Sequence, residues 1–256
     1  MESLTFRSSP HFLLSVESKD SHRHRWVTHS LRCAYNPKHS ARSSPVLGAD
    51  EYLNRFDNLA ERAALRRRMR QARAQLGNAA RSRAARDVAG QLAATMLLKP
   101  RLRIAAYASI SAELGTTPLL RLLVRRGAII FLPRVDSARA ARMSFAPVGS
   151  RWRLNRFAIA EPANTRRQSA CFMNIVLLPV VAFDKFGTRL GMGGGFYDRA
   201  LAFKLRRHSW YGPKLIGLAY EFQRADHIPR RPHDVQLDAI VTPRGIHWFS
   251  SRGSDS

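Results

Sequence analysis

The sequence predicts an α/β fold in a single domain, a mostly parallel sheet with helices on both faces, preceded by a disordered N-terminal extension. Three observations carry that expectation. Short apolar runs such as Ile175 to Leu178 and Ala239 to Val241 read as strands buried on both faces. Segments with apolar residues at helical spacing alternate with those runs, as they do where helices cover a parallel sheet. A glycine-rich turn at 191–195 follows one run and opens a helix. With 45% hydrophobic residues in 256, the chain can bury a sizeable core, so wholesale disorder is excluded.

Taken in order, residues 1–50 hold 10 Ser, 5 of the 9 His, and Pro10, Pro37 and Pro45, without strand or helix periodicity. They read as a disordered extension or a mis-assigned start, with the domain at 51–249 and a flexible tail at 250–256. Arg and Ser content would suit a transit peptide, but Glu2, Glu17 and Asp20 count against one, and Phe12 to Leu14 is too short a cluster for export. Leu53, Phe56, Leu59, Ala63, Met69, Ala72 and Leu76 then predict a long, Arg-coated helix stopped by Gly77. A second helix is expected over 80–98, closed by Pro100. Residues 104–107 predict a strand, Thr117 caps a helix begun at Pro118 and ended by Gly127, and 129–132 predict the next strand, a βαβ unit. Met143 to Val148 suggests a further strand, while 149–169 is polar, Arg-rich and without a clear period. Strands at 175–178, 215–219 and 239–241, with a helix over 196–207, repeat the alternation.

The net charge of +25 invites a nucleic-acid partner, because clustered cations draw affinity from phosphate neutralisation. The charge is not clustered, however. Only 6 of the 43 basic residues are Lys, and the Arg excess is spread along many elements; Arg66 to Arg68 reads as a solvated helix face. No specific nucleic-acid partner is expected. The longest apolar stretch, 172–183, is interrupted by Asn174 and Pro179 and too short for a bilayer, so no membrane partner is expected and the location is cytoplasmic. Cys33 and Cys171 form neither a disulfide scaffold nor a zinc pattern.

The informative stretch runs from Leu177 to Arg199. Gly191, Gly193, Gly194 and Gly195 leave backbone amides open at a strand-to-helix turn, a natural phosphate cradle, with Lys185 and Arg189 as cations just before it. The turn lacks the Gly-Lys-Ser/Thr of a Walker loop, and Phe196 stands where a dinucleotide fingerprint needs its third glycine. A merely tight turn is the competing reading. Asp198, at the start of the following helix, could join Asp234 or Asp238 around a Mg2+ ion, or simply suit the helix dipole.

Arg189 to Asp198 closely resembles the signature of the 5-formyltetrahydrofolate cyclo-ligases, also called 5,10-methenyltetrahydrofolate synthetases. Leu65 with Arg66, Tyr107 through Thr117, Leu132 to Val135, and Gly217 to Gln223 leading to His233 and Asp234 agree in order. The resemblance covers about 55–247. It implies conversion of 5-formyltetrahydrofolate to 5,10-methenyltetrahydrofolate with ATP and Mg2+, releasing ADP and phosphate. Carried over, Arg62, Arg66, Arg189, Leu190, Gly191, Met192, Gly193, Gly194, Gly195, Phe196 and Tyr197 would hold ATP. Asp198 and Asp234 would bind the metal, and Ala108 and Glu113 the folate. No protein nucleophile is implied; Arg189 and Tyr197 are the candidates for positioning and charge stabilisation. The resemblance further implies a folate with a polyglutamate tail, and a monomer is expected. Arg62 stands where the family has Lys, and its planar fork reaches differently from an ammonium. Another ATP-dependent ligase with the same cradle, or a basic nucleic-acid-binding protein, are the alternatives.

Overall fold

The computed structural model describes residues 49–95, 99–149, 151–155, 157–163, 166–206 and 212–249, with side chains from residue 57 onward. Ahead of these it describes a two-residue antiparallel pair, β1 (Thr5–Phe6) with β2 (Leu14–Ser15). The expected N-terminal disorder, the 250–256 tail and Cys33 otherwise lie outside the described residues.

Helix α1 (Ala49–Ala74) and helix α2 (Asn78–Ala93) lead into a seven-stranded sheet. Its strands are β3 (Arg103–Ala105), β4 (Ile129–Ser137), β5 (Arg142–Pro147), β8 (Ile175–Pro179), β11 (Lys214–Leu218), β12 (Ala239–Thr242) and β13 (Gly245–Trp248). They are ordered β13-β12-β11-β8-β3-β4-β5; the inner five run parallel and the two edge strands antiparallel. The expected mostly parallel sheet is therefore present, and β13 is an edge strand without a sequence expectation.

Period-two alternation splits the strands between two cores. Ile104, Ile130, Ile175, Leu177 and Ile216 pack with Val88 and Leu92 of α2 and Leu119 and Leu123 of α3 (Thr117–Arg125) on one face. Ala105, Phe131, Val176, Leu178, Leu215 and Ile240 pack on the other with Leu201 of α4 (Phe196–Leu201), Phe203 and Leu205, the last two on α5 (Phe203–Arg206). Helices thus cover both faces. From β3 the chain winds through α3 to β4 on one side, whereas β8 leads through α4 to β11 on the other. The carboxyl ends of β3 and β8 form the switch point where doubly wound sheets open a crevice.

Two local expectations are corrected. Thr116, not Thr117, occupies the cap position of α3, and its hydroxyl donates to the Tyr107 carbonyl at 2.8 Å, so it ties the helix start to the end of β3 instead of capping. The helix expected over 196–207 breaks at Ala202 into α4 and α5, because Phe203 and Leu205 turn inward against the lower core. A third, small core of Leu65, Met69, Val181, Ala182, Leu190, Ala225 and Ile228 docks α1 on the antiparallel pair β9 (Ala182–Phe183) and β10 (Arg189–Leu190).

Candidate active site

The site is assembled from four pieces around the β3 and β8 carboxyl ends. The first is one face of α1. Arg62, Leu65, Arg66, Met69 and Arg73 follow i, i+3, i+4, i+7, i+11 spacing and share a stripe. Leu65 and Met69 pack that stripe down, and this carries Arg62 and Arg73 into burial while Arg67, Arg68 and Arg70 remain exposed. Arg62 Nη1 donates to Asp234 Oδ2 at 2.7 Å and Nη2 to Oδ1 at 3.3 Å, a buried fork on both carboxylate oxygens. The Arg231 amide also donates to Oδ2, at 3.0 Å.

The second piece is the glycine loop after β10. Gly193 (φ +100°) and Gly195 (φ +67°) take left-handed backbone that side chains resist, so the loop turns without covering its amides. Arginines flank it from two sides. Arg66 Nε donates to the Gly191 carbonyl at 2.8 Å, and Arg189 Nη2 donates to Asp198 Oδ1 at 2.6 Å. Arg189 is buried, and its Nε has no partner among the described residues. Burial, with Arg62 and Arg231 alongside, pulls the Arg66 guanidinium below its ordinary value, a crowding of like charge that an anion would relieve.

The third piece follows β3. Tyr107, Ala108, Ile110 and Glu113 form a wall; Glu113 Oε2 accepts the Ile110 amide at 3.1 Å. Burial raises the Glu113 carboxyl above its ordinary value, against the pull of that amide and of Arg73. Burial and then Glu113 push the Tyr197 phenol far up, so it stays a neutral O–H donor.

The fourth piece was illegible in the sequence. A hairpin of β6 (Trp152–Leu154) and β7 (Ala160–Pro162) stands over the loop from the 149–169 region. Buried Glu161 fixes it, pairing with Arg153 and accepting the Val135 amide of β4 at 3.0 Å. Asn155 Oδ1 accepts the Phe157 and Ile159 amides, a turn that presents Phe157 edge-to-face on Phe196, ring centres 6.1 Å apart.

Together these pieces enclose one cavity of about 420 Å³. Of the residues singled out from sequence, Arg62, Arg66, Ala108, Glu113, Arg189, Gly191, Met192, Gly193, Gly194, Gly195, Phe196, Tyr197, Asp198 and Asp234 line it. Leu190 does not; it is fully buried in the small core that anchors α1. His233 and Arg231 line the cavity, and Lys185 sits elsewhere, over the Phe186 ring. Asn155, Phe157 and Ile159 also line it, and had only weak signals, an Asn and a Phe in a segment of no period.

Magnesium asks for hard oxygen donors, often one or two carboxylates completed by water and phosphate oxygens. Asp198 fits, since Arg189 engages only its Oδ1. Asp234 is committed on both oxygens to Arg62 and the Arg231 amide. Among the described residues no group of three or more His, Cys, Asp or Glu could hold an ion without other donors.

Over residues 58–243 the chain matches the 5-formyltetrahydrofolate cyclo-ligase family. The 5-formyltetrahydrofolate cyclo-ligase of Escherichia coli (strain K12) is 35% identical over 168 residues, covering 61% of this chain and 89% of that relative. The one from Haemophilus influenzae is 31% identical over 191 residues, covering 72% and 98%. Among solved structures, 5,10-methenyltetrahydrofolate synthetase of Aquifex aeolicus superposes with a TM-score of 0.64 at 27% identity, over 76% of this chain and 96% of that one.

Proposed function

We propose a division of labour within the cavity from one premise: the chain belongs to the 5-formyltetrahydrofolate cyclo-ligase family. It is an ATP-dependent ligase that converts 5-formyltetrahydrofolate to 5,10-methenyltetrahydrofolate, with ADP and phosphate as by-products. The observation that supports the residue assignments is convergence. Segments from α1, the β3 end, the glycine loop and the 231–234 turn meet in a single cavity at the sheet's switch point.

In this reading the glycine loop and Arg62, Arg66 and Arg189 hold ATP, with Arg189 neutralising charge on the transferring phosphoryl group. Ala108 and Glu113 hold the folate. A pterin offers adjacent ring N–H and amino donors, which one carboxylate accepts together, and Phe157 against Phe196 gives its flat rings an aromatic wall. The formamide oxygen is a weak nucleophile, so alignment and charge neutralisation carry the reaction. Once phosphorylated, that oxygen becomes a leaving group; N10 attacks the activated carbon, and phosphate departs to leave the methenyl bridge. The Tyr197 hydroxyl, neutral and facing the same space, donates to the developing charge.

Asp198 would hold Mg2+, whose charge would screen the phosphates. Asp234, expected from sequence as a second ligand, has both oxygens engaged by Arg62 in this structure. A polyglutamate tail on the folate suits a body of net charge +25. The catalytic unit is residues 51–249. A cytoplasmic location is part of this reading; no described helix is long and apolar enough to cross a membrane.

The test is the appearance of methenyltetrahydrofolate by its absorbance. Product should require ATP, 5-formyltetrahydrofolate and Mg2+ together; turnover of ATP with another acceptor and no methenyl product would assign the cradle to a different ligase.

A further inference from the structure

The β6–β7 hairpin holds part of its tip in a conformation that its own sequence resists. Ala158, between the two cavity residues Phe157 and Ile159, has φ +56°, left-handed backbone in which a Cβ is crowded. A glycine would take it freely, whereas an alanine keeps it only where surrounding bonds over-determine it.

Those bonds converge on Asn155. Its Oδ1 accepts the Phe157 amide at 2.9 Å and the Ile159 amide at 3.2 Å, one on each side of Ala158. Its backbone completes the turn, the carbonyl accepting the Ala158 amide at 2.9 Å and the amide donating to the Ile159 carbonyl at 3.0 Å. Its Nδ2 donates at 3.4 Å to Oε2 of Glu161, the same oxygen that accepts the Val135 amide of β4. Glu161 is 1% exposed and its other oxygen takes Arg153 Nε at 2.7 Å, so it is a fixed point in the fold. The sheet wall at Val135 and the hairpin wall at Phe157 and Ile159 thus share one anchor, and all three residues line the cavity. Asn155 lines it too, but two amides occupy both lone pairs of its side-chain oxygen, which leaves that oxygen nothing to offer a ligand.

We propose that Asn155 is a positioning residue for the folate: by clamping the amides on either side of strained Ala158 and leaning on Glu161, it sets the hairpin wall in its binding shape before the folate arrives. The proposal rests on the reading above, in which that wall holds the folate. Asn155 touches no reacting atom; it acts through Phe157 and Ile159. A wall already in place spares the complex the cost of ordering a loose tip on binding, a saving that belongs to the folate and not to ATP at the glycine loop.

The experiment compares Asn155→Ala, Asn155→Ser, the Asn155→Ala/Ala158→Gly double variant and Phe157→Ala, reading kcat and KM for 5-formyltetrahydrofolate and for ATP, with melting temperatures. Asn155→Ala should raise the folate KM about tenfold, the scale of one or two lost hydrogen bonds, with kcat and the ATP KM each within about twofold of the parent. Asn155→Ser keeps an acceptor at the turn and should recover part of that loss. Adding Ala158→Gly to Asn155→Ala should bring the folate KM back to within about threefold of the parent, because glycine takes the left-handed backbone without the clamp. A parental folate KM in Asn155→Ala, or an equal loss for ATP and folate, overturns the proposal. So does a double variant as impaired as Asn155→Ala, which would mean that the Asn155 side chain contacts the folate directly. If Asn155→Ala melts far below the parent, the residue is a structural strut and the proposal falls. A Phe157→Ala variant with parental folate KM removes the premise instead, a result separate from each of these.

Discussion

The end of the cavity proposed to hold the nucleotide is made of backbone and cations: glycine amides, Arg66 on the Gly191 carbonyl, Arg189 on Asp198, and Arg62 locked to Asp234. The end proposed to hold the folate is made of side-chain surface: Leu132, Pro133, Val135, Met143, Phe157 and Ile159, with Glu113 as the charged group. In that reading the first end recognises charge, through the continuous 189–198 loop and two arginines of α1. The second recognises a shape contributed by four separate segments, so exchange at any one position should cost less. Damage to the two ends should therefore differ in size and in which substrate it affects.

The largest effect is expected at the buried pair. Arg62→Ala strands Asp234 as an uncompensated buried carboxylate and should cost about 3–5 kcal/mol of stability together with most ATP binding. Arg62→Lys should recover part of both, and equal melting temperatures for parent and Arg62→Ala in calorimetry would show that Asp234 is solvated after all. Next is Gly194→Val. A Cβ there would stand 3.0 Å from Phe196 Cδ2 and crowd the amides, so ATP affinity by titration calorimetry should fall about 100-fold, roughly 2.7 kcal/mol.

Smaller effects are expected at the folate end. Glu113→Gln keeps the shape and loses the charge, costing about 1–3 kcal/mol in folate kcat/KM. Because burial raises the Glu113 pKa, the parent's folate kcat/KM should fall on acidification from a higher pH than an ordinary carboxylate would impose. In Glu113→Gln that limb should be absent; a limb shared by both proteins would assign the titration elsewhere. Phe157→Ala removes an aromatic wall and should raise the folate KM several-fold, about 0.5–1.5 kcal/mol, with ATP unaffected. Smallest of all, removing residues 1–50 should leave turnover and melting temperature unchanged, since the family match begins at residue 58. A drop of many degrees would move the domain boundary.

The contrast between the two ends is also a contrast in legibility. The parallel sheet could be read because its strands are apolar on both faces, and the glycine loop because it is continuous from Arg189 to Asp198. The 149–169 hairpin could not, since β6 and β7 have three residues each, are held by the single buried Glu161, and carry too little periodicity to register. Asp234 posed another difficulty. A carboxylate near a magnesium site and one paired with an arginine have the same sequence signature, and the fork from Arg62 on α1, 172 residues away, is visible only in the fold.

The most direct measurement is a crossed one, with dissociation constants for a non-hydrolysable ATP analogue and for 5-formyltetrahydrofolate measured on Gly194→Val and Glu113→Gln side by side. The expected result is a double dissociation, in which Gly194→Val loses the nucleotide and keeps the folate while Glu113→Gln does the reverse. Both variants losing both ligands alike, or each losing the ligand assigned to the other end, would contradict the division of the cavity.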